Sequence, residues 1–555
     1  MTTETQDKRK LLTQNLIAGT TTAVMLIPQG MAYALVAGMD PIHGLYASLL
    51  PLFVYALIGR SRELAVGPGA LDTLIVGTTL SGLAFVTKGN YAIIAAILTL
   101  QVAAIQLILG MLRFGFLVNF LSRPVISGFT SAAALIIGFS QMRHLFGYSA
   151  PKSAYFYELL WQTIKHLPQT NIYTALIGIG SIILLTVLKK MNKMFPRALA
   201  VTLLATIIVW GLGLDAQKVA ILGKIPVGFP TISVPRLDWK TFWGLLPTAF
   251  VIAFVGYLTI ISIAKTFANR NRYDISANRE LLAIGASNFA AAISQGFPVS
   301  ASFSRSAVHA SAGSTSPYTL MIAATWIGLT LAFLTKTFYY MPKAALAAII
   351  MTAVFGLIDV QIVKHLYKVK IADMWLLIIT FVATLVVGIE PGILIGVGCS
   401  LALFLYRSTR PHVAVLGRVG DSVDFRNVRN YEDASPYPGM VILRFDAQFY
   451  FGNVTFLKDL LKTLENEANP PLHTVIIEAC SMTQLDSSAD AALHDIADDY
   501  SKRGIRLIFA SVKMPVLNVM KASGLWDKLT PQHFFMNVED AVQFALGQEE
   551  EQSET

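Results

Sequence analysis

Ser302, Ser304 and Arg305 place two hydroxyls and a fixed positive charge within four residues, just after Ser294-Gln295-Gly296-Phe297-Pro298-Val299-Ser300, a stretch unsuited to helix. A second break, Glu63-Leu64-Ala65-Val66-Gly67-Pro68-Gly69, is followed three residues later by Asp72. Each break precedes a run able to start a helix. A helix that begins inside a low-dielectric region presents unpaired N–H groups and the positive end of its dipole, which together attract an anion. Arg305 serves such a site directly or else pairs with a carboxylate to hold its helix. Gln29, beside Pro28, offers a donor and an acceptor, against an ordinary helix–helix hydrogen bond. Tyr33 follows one turn later on the same face, and its alternative is a packed aromatic. Gly69 lets a ligand approach the backbone, or is a tight-turn glycine. Asp72 carries a proton or sodium ion to offset anion charge, or neutralises Arg305. His309, a turn after Arg305, shares that proton or is a satisfied structural histidine.

These residues lie in a chain built for lipid. It is 54% hydrophobic and 14% charged, with mean hydropathy +0.58, too apolar for a soluble protein of this length. Residues 1–410 hold 31 Lys and Arg against 13 Asp and Glu; residues 411–555 hold 12 against 21. That division implies a basic membrane domain and an acidic soluble one. The surplus cations sit between apolar spans, where they orient loops, so no nucleic-acid partner is expected. Cys399 and Cys480 fall in different parts and imply no disulfide framework. The histidines do not repeat at ligand spacing, so neither a metal site nor an enzyme is expected.

A window of about 20 residues finds fourteen apolar stretches. They lie at 14–36, 43–59, 68–87, 91–112, 117–140, 171–190, 197–213, 244–268, 278–294, 300–312, 317–335, 342–357, 371–388 and 391–407. Divided seven and seven, they put the two breaks at the third and tenth, equivalent positions in two inverted repeats. Non-helical backbone at membrane depth is tolerated only where protein or a water-filled cavity satisfies it, and paired breaks mark the substrate site of a secondary transporter. Arg123-Pro124 is expected to kink or break the fifth stretch. Residues 1–13 form a cytoplasmic N-terminal segment, 14–410 the membrane domain, 411–437 a connection, 438–546 a small α/β domain and 547–555 a disordered acidic tail. The α/β assignment rests on buried strands near 440–445, 474–479 and 504–510 alternating with helical patterns at 453–467, 487–501 and 514–523.

Pro28-Gln29-Gly30-Met31-Ala32-Tyr33-Ala34, Gly44-Leu45-Tyr46-Ala47-Ser48, Val66-Gly67-Pro68, Ser127-Gly128-Phe129 and Ser302-Phe303-Ser304-Arg305-Ser306 resemble the sulfate permease family of anion transporters. Leu485-Asp486-Ser487-Ser488-Ala489 resembles the STAS domain that ends most members. The resemblance covers nearly the whole chain. It implies an α-helical polytopic membrane protein of two inverted seven-span repeats, a core of spans 1–4 and 8–11 moving against a gate of spans 5–7 and 12–14, in a homodimer. It also implies an anion between half-helices 3 and 10, with Gln29, Tyr33, Gly69, Ser302, Phe303, Ser304 and Arg305 as substrate-binding residues. Ser488 becomes a candidate for regulatory phosphorylation, against a serine that only caps its helix. Proton-coupled relatives carry an acid in span 8, six positions before its closing lysine; here, before Lys265, that position is Thr259.

The expectation is secondary transport of a small anion, sulfate first, in the cytoplasmic membrane with both termini inside, coupled to a proton or sodium ion or running by exchange. Bicarbonate or a dicarboxylate is the alternative substrate, and a STAS-linked membrane sensor the alternative class. Membrane lipid and a cytoplasmic partner of the STAS domain complete the expected partners, with no cofactor.

Overall fold

The computed structural model describes residues 3–82, 91–116, 122–150, 153, 155–191, 197–235 and 238–553, in two compact units, residues 1–400 and 401–555. The first unit begins with helix α1 (Thr3–Ala37), α2 (Pro41–Tyr46), α3 (Leu50–Ile58), strand β1 (Val66–Pro68), α4 (Ala70–Gly82) and α5 (Tyr91–Met111). It continues with α6 (Arg123–Phe146), α7 (Phe156–His166), α8 (Ile172–Met191) and α9 (Arg197–Gly211). The second half runs α10 (Trp239–Asn271), α11 (Ala277–Ile293), β2 (Val299–Ala301), α12 (Phe303–Ser311), α13 (Thr319–Leu329), α14 (Lys343–Val354), α15 (Val360–Val369), α16 (Ile371–Val387) and α17 (Ile389–Thr409). All fourteen expected stretches contain helix, although residues 83–87 and 117–121 of two of them lie outside the described residues.

Nine helices among the described residues are long and apolar enough to cross a membrane. Their outer faces agree: Ile172, Leu176, Ile179, Ile183 and Val187 form an exposed apolar stripe at three- and four-residue spacing along α8, and Ile371, Trp375, Ile379, Val382 and Val386 do so along α16. In water such stripes carry a large penalty; against acyl chains they carry none. Arg123-Pro124 stands inside the expected stretch 117–140, of which residues 117–121 lie outside the described residues. It begins α6, where the missing proline N–H would have had no partner anyway.

The helices pack in two groups. α5 lies against α10 and α11, α11 against α3, and α1 against α2, α12 and α13; α6 lies against α14 and α16, and α8 against α14 and α9, while α1 meets α9 and α14, and α4 meets α6, where the groups touch. These are the expected core and gate. α1 and α2 touch so closely that a Cβ on Gly44 would fall on the Gly30 carbonyl, which is why both positions are glycine.

The two breaks solve each other's problem. β1 and β2 pair antiparallel, Val66 with Ala301, Gly67 with Ser300 and Pro68 with Val299. Backbone that could not be left unpaired in lipid is thereby bonded in a two-stranded sheet with both strands buried. Asn288 of α11 completes it: Val299 N–H donates to Asn288 Oδ1 at 2.7 Å, and Asn288 Nδ2 donates to Val299 O at 3.2 Å and Gln106 Oε1 at 2.9 Å.

In the second unit β3 (Val413–Val419), β4 (Phe425–Asn427), β5 (Ala434–Ser435), β6 (Met440–Phe445), β7 (Thr474–Glu478), β8 (Arg506–Ala510) and β9 (Phe534–Phe535) form one sheet, ordered β4-β3-β6-β7-β8-β9 with β5 on β3. Pairs β6–β7, β7–β8 and β8–β9 are parallel; β3 runs antiparallel to β6. Helices α18 (Val454–Glu467), α19 (Ser487–Lys502), α20 (Met514–Ala522), α21 (Leu525–Leu529) and α22 (Val538–Ser553) complete the unit. Two expectations need correction. Residues 411–437 are not a mere connection but supply three strands, because Ala414 and Leu416 alternate onto a buried face with Met440 and Ile442. Residues 547–553 continue α22, whose Ala541, Val542 and Ala545 cover that same face.

Replacing Asn288 by Ala leaves the Val299 amide and carbonyl without that partner, and is expected to cost roughly 2 to 3 kcal/mol. A lowered thermal unfolding midpoint of the purified protein in detergent checks this; an unchanged midpoint would show that the β1–β2 pair holds without it.

Candidate anion-binding site

Beside the β1–β2 pair lies a cavity of about 210 Å³. Its core wall is formed by Tyr33 of α1, Gly69 to Asp72 at the start of α4, Thr259 and Ser262 of α10, and Ser300 to Ser304 at the end of β2 and start of α12. Its gate wall is formed by Ile126, Phe129, Thr130, Ala353, Leu357 and Ile393. The gate wall offers one hydroxyl, Thr130; every other polar side chain belongs to the core.

Of the expected residues, Tyr33, Gly69, Asp72, Thr259, Ser302, Phe303 and Ser304 line this cavity. Ser302 is the N-cap of α12 and its side chain makes no capping bond, so its hydroxyl and the first N–H groups of the helix are available to a ligand. Phe303 is exposed in the cavity and its ring stacks on Phe267, centroids 6.1 Å apart. Thr259 donates to Val255 O at 2.9 Å along its own helix. Gln29 is buried with its Oε1 lacking a partner, yet does not line the cavity.

Arg305 corrects the direct reading of its charge. The side chain is fully buried and does not line the cavity. Its Nε and Nη2 donate to Ala65 O, each at 3.2 Å, and Nη1 donates to Pro68 O at 3.3 Å. The neighbouring Ser306 Oγ accepts from Ala65 N–H at 3.0 Å. The first turn of α12 thus grips both ends of β1 from behind, where a guanidinium's fan of donors matches several carbonyls at once.

Asp72 is also not the partner of Arg305. Its Oδ2 accepts a hydrogen bond from Ser300 Oγ, while Oδ1 is buried without a partner. Gly69 makes this possible: a Cβ there would meet both the Asp72 carboxylate and the Ser300 hydroxyl. The glycine therefore leaves room for an internal hydrogen bond as well as facing the cavity. His309 does not reach the site. Its Nδ1 lies 2.6 Å from Thr22 Oγ1 and its Nε2 2.9 Å from Thr319 Oγ1, tying α12 to α1 and α13. His309 and Asp72 therefore make no contact through these bonds.

Sequence reasoning missed Ser300, Ser306, Asn288 and Gln106. The last two carried a signal, since an amide in an otherwise apolar run needs a partner in another helix. The serines lie within the quoted motif and break, but nothing in them singled out a partner, because many small hydroxyl residues in such helices bond only their own backbone. In the soluble unit Ser488 is exposed in the first turn of α19, and Asp486, not a serine, caps that helix by accepting from Ala489 N–H at 2.8 Å.

If Arg305 acts as a brace, Arg305→Lys keeps the charge but not the several carbonyl bonds. Both Arg305→Lys and Arg305→Gln are then expected to lose about 3 kcal/mol of stability. Thermal melts of both variants beside anion-binding titrations test this; a lysine variant as stable as the parent would return Arg305 to the role of a simple charge.

Comparison with known proteins places this geometry. The profile of the Sulfate permease family matches residues 12–380 and that of the STAS domain residues 431–541. Probable sulfate transporter 4.2 of Arabidopsis thaliana is 38% identical over 96% of this chain and 81% of its own. A probable sulfate transporter of Mycobacterium tuberculosis is 33% identical over 97% and 96% respectively. Among solved structures, the murine Solute Carrier 26 family member A9 anion transporter superposes with a TM-score of 0.89 at 25% identity, covering 96% of this chain and 91% of that one.

Proposed function

Since the chain belongs to the sulfate permease family, we propose that it is a secondary active transporter of a small anion, sulfate first, in which core and bound anion move together past the gate. The observation that carries this is the division of polarity in the cavity. The anion's hydrogen-bonding partners are the α12 amino end, Ser302, Ser304 and Tyr33, all on the core, while the gate offers an apolar wall with one hydroxyl. An anion held this way keeps its partners while the core slides, and meets no site on the gate that would hold it back.

Asp72 supplies the coupling. An ionised carboxylate in the same cavity repels an anion by roughly 4 kcal/mol per pair of unit charges at 4 Å and an effective dielectric of 20. A proton or sodium ion at Asp72 removes that repulsion, so anion and cation load together. With Thr259 where proton-coupled relatives carry their acid, Asp72 is the carboxylate that lines the cavity among the described residues. The transporter works as a homodimer in the cytoplasmic membrane with both termini inside, and the STAS domain receives regulation at Ser488 or through a cytoplasmic partner. Sulfate is put before bicarbonate because relatives of 38% and 33% identity bear the name sulfate transporter.

In proteoliposomes, Asp72→Asn is expected to abolish concentrative sulfate uptake driven by a proton or sodium gradient, while exchange at equal concentrations survives, because an amide keeps size and hydrogen bonds but binds no cation. Unchanged coupling would remove Asp72 from the cycle. Competition of labelled sulfate with bicarbonate, fumarate and chloride decides the substrate, and a parent protein with no flux for any of them leaves the membrane-sensor reading.

A further inference from the structure

A second cavity shares α4 and α6 with the first but lies at their other ends. Ser81 is nine residues beyond Asp72 on α4, roughly 14 Å along the axis, and Arg143 is thirteen beyond Thr130 on α6, roughly 20 Å. The cavity, about 40 Å³, is closed by α7 and is large enough for one compact ion or a few waters. Arg143 lines it together with the hydroxyls and amides of Thr78, Ser81, Ser140, Gln141 and Gln162.

Arg143 is poorly satisfied for a guanidinium. Its Nη1 donates to Ala150 O at a long 3.4 Å, and its Nε is buried with no partner. No carboxylate lines the cavity among the described residues. Glu158 on α7 is engaged elsewhere, accepting from Ser153 Oγ at 2.6 Å, and forms no ion pair with Arg143. A half-buried cation with a free donor, ringed by neutral hydroxyls and amides, lacks only a negative partner.

We propose that this cavity is a second anion-binding site, at which Arg143 holds a small inorganic anion on the core–gate seam, away from the broken helices. Under the transport reading, on which this role depends, it is the port where the anion waits at the far end of α4 and α6 before reaching the first cavity or after leaving it. Field lines focused between apolar walls raise the local anion concentration there.

The local charge is testable without transport. With Cys399 and Cys480 replaced by serine, Ser81→Cys, at an exposed position, is expected to react faster with an anionic methanethiosulfonate than with a cationic one. Adding Arg143→Gln should reduce that ratio roughly tenfold, and Arg143→Lys should retain most of it. Sulfate should slow the reaction in the parent and not in Arg143→Gln. An unaltered ratio in Arg143→Gln overturns the proposal, as does failure of both Ser81→Cys and Gln162→Cys to react with either reagent. In proteoliposomes the half-saturating sulfate concentration of Arg143→Gln should rise several-fold for entry from the Arg143 side only. An equal rise from both sides would mark Arg143 as a general packing residue, and absence of sulfate flux in the parent would count against sulfate transport while leaving the reagent result intact.

Discussion

Backbone hydrogen bonding in a low-dielectric medium is the constraint on which the membrane unit depends. Two helices are interrupted at depth, and neither could leave its N–H and C=O groups unpaired without a cost of several kcal/mol per group. They meet it by pairing with each other as β1 and β2, with Asn288 bonding Val299 from one side and Arg305 and Ser306 bonding β1 from the other. The same clamp sets the position and direction of α4 and α12, whose amino ends make the cavity. The bonds that satisfy the broken backbone therefore also shape the cavity. Arg305 does this from behind the cavity, which it does not line.

Charge is distributed around that clamp with a clear separation of tasks. Arg305 is turned toward carbonyls behind the cavity, whereas Asp72 faces the cavity with one oxygen unpartnered. Their separation means that Asp72 is held by Ser300 and not by an ion pair with Arg305. Asp72 of α4 and Thr259 of α10 line the same core wall of the cavity from different helices. The walls themselves differ in polarity: apart from Thr130, the polar side chains lining the cavity belong to the core.

The α/β unit follows a simpler logic. Val441, Leu443 and Phe445 of β6 face one cluster, and Met440 and Ile442 face another. A parallel sheet buried on both faces requires helices on both, and α22 provides the second layer. This is why the chain's end is helical where its acidic composition suggested a tail, and why β3 extends the sheet where the sequence suggested a connection.

The sequence by itself determined the class of the molecule, the positions of its apolar helices, the two breaks, and several of the polar residues lining the cavity, because hydrophobic period and helix-breaking residues act locally. It also identified α19 and the β6–β8 strands to within a residue or two. What it could not determine was which groups face each other. That Arg305 points at Ala65 and Pro68, that Asp72 receives Ser300, that His309 bonds Thr22 and Thr319, and that Gln29 stops short of the cavity were decided by tertiary structure alone. Each is a choice among partners 10 to 287 residues distant in the chain. Such choices are made when burial removes water as the competing partner, and no local pattern of residue types encodes them.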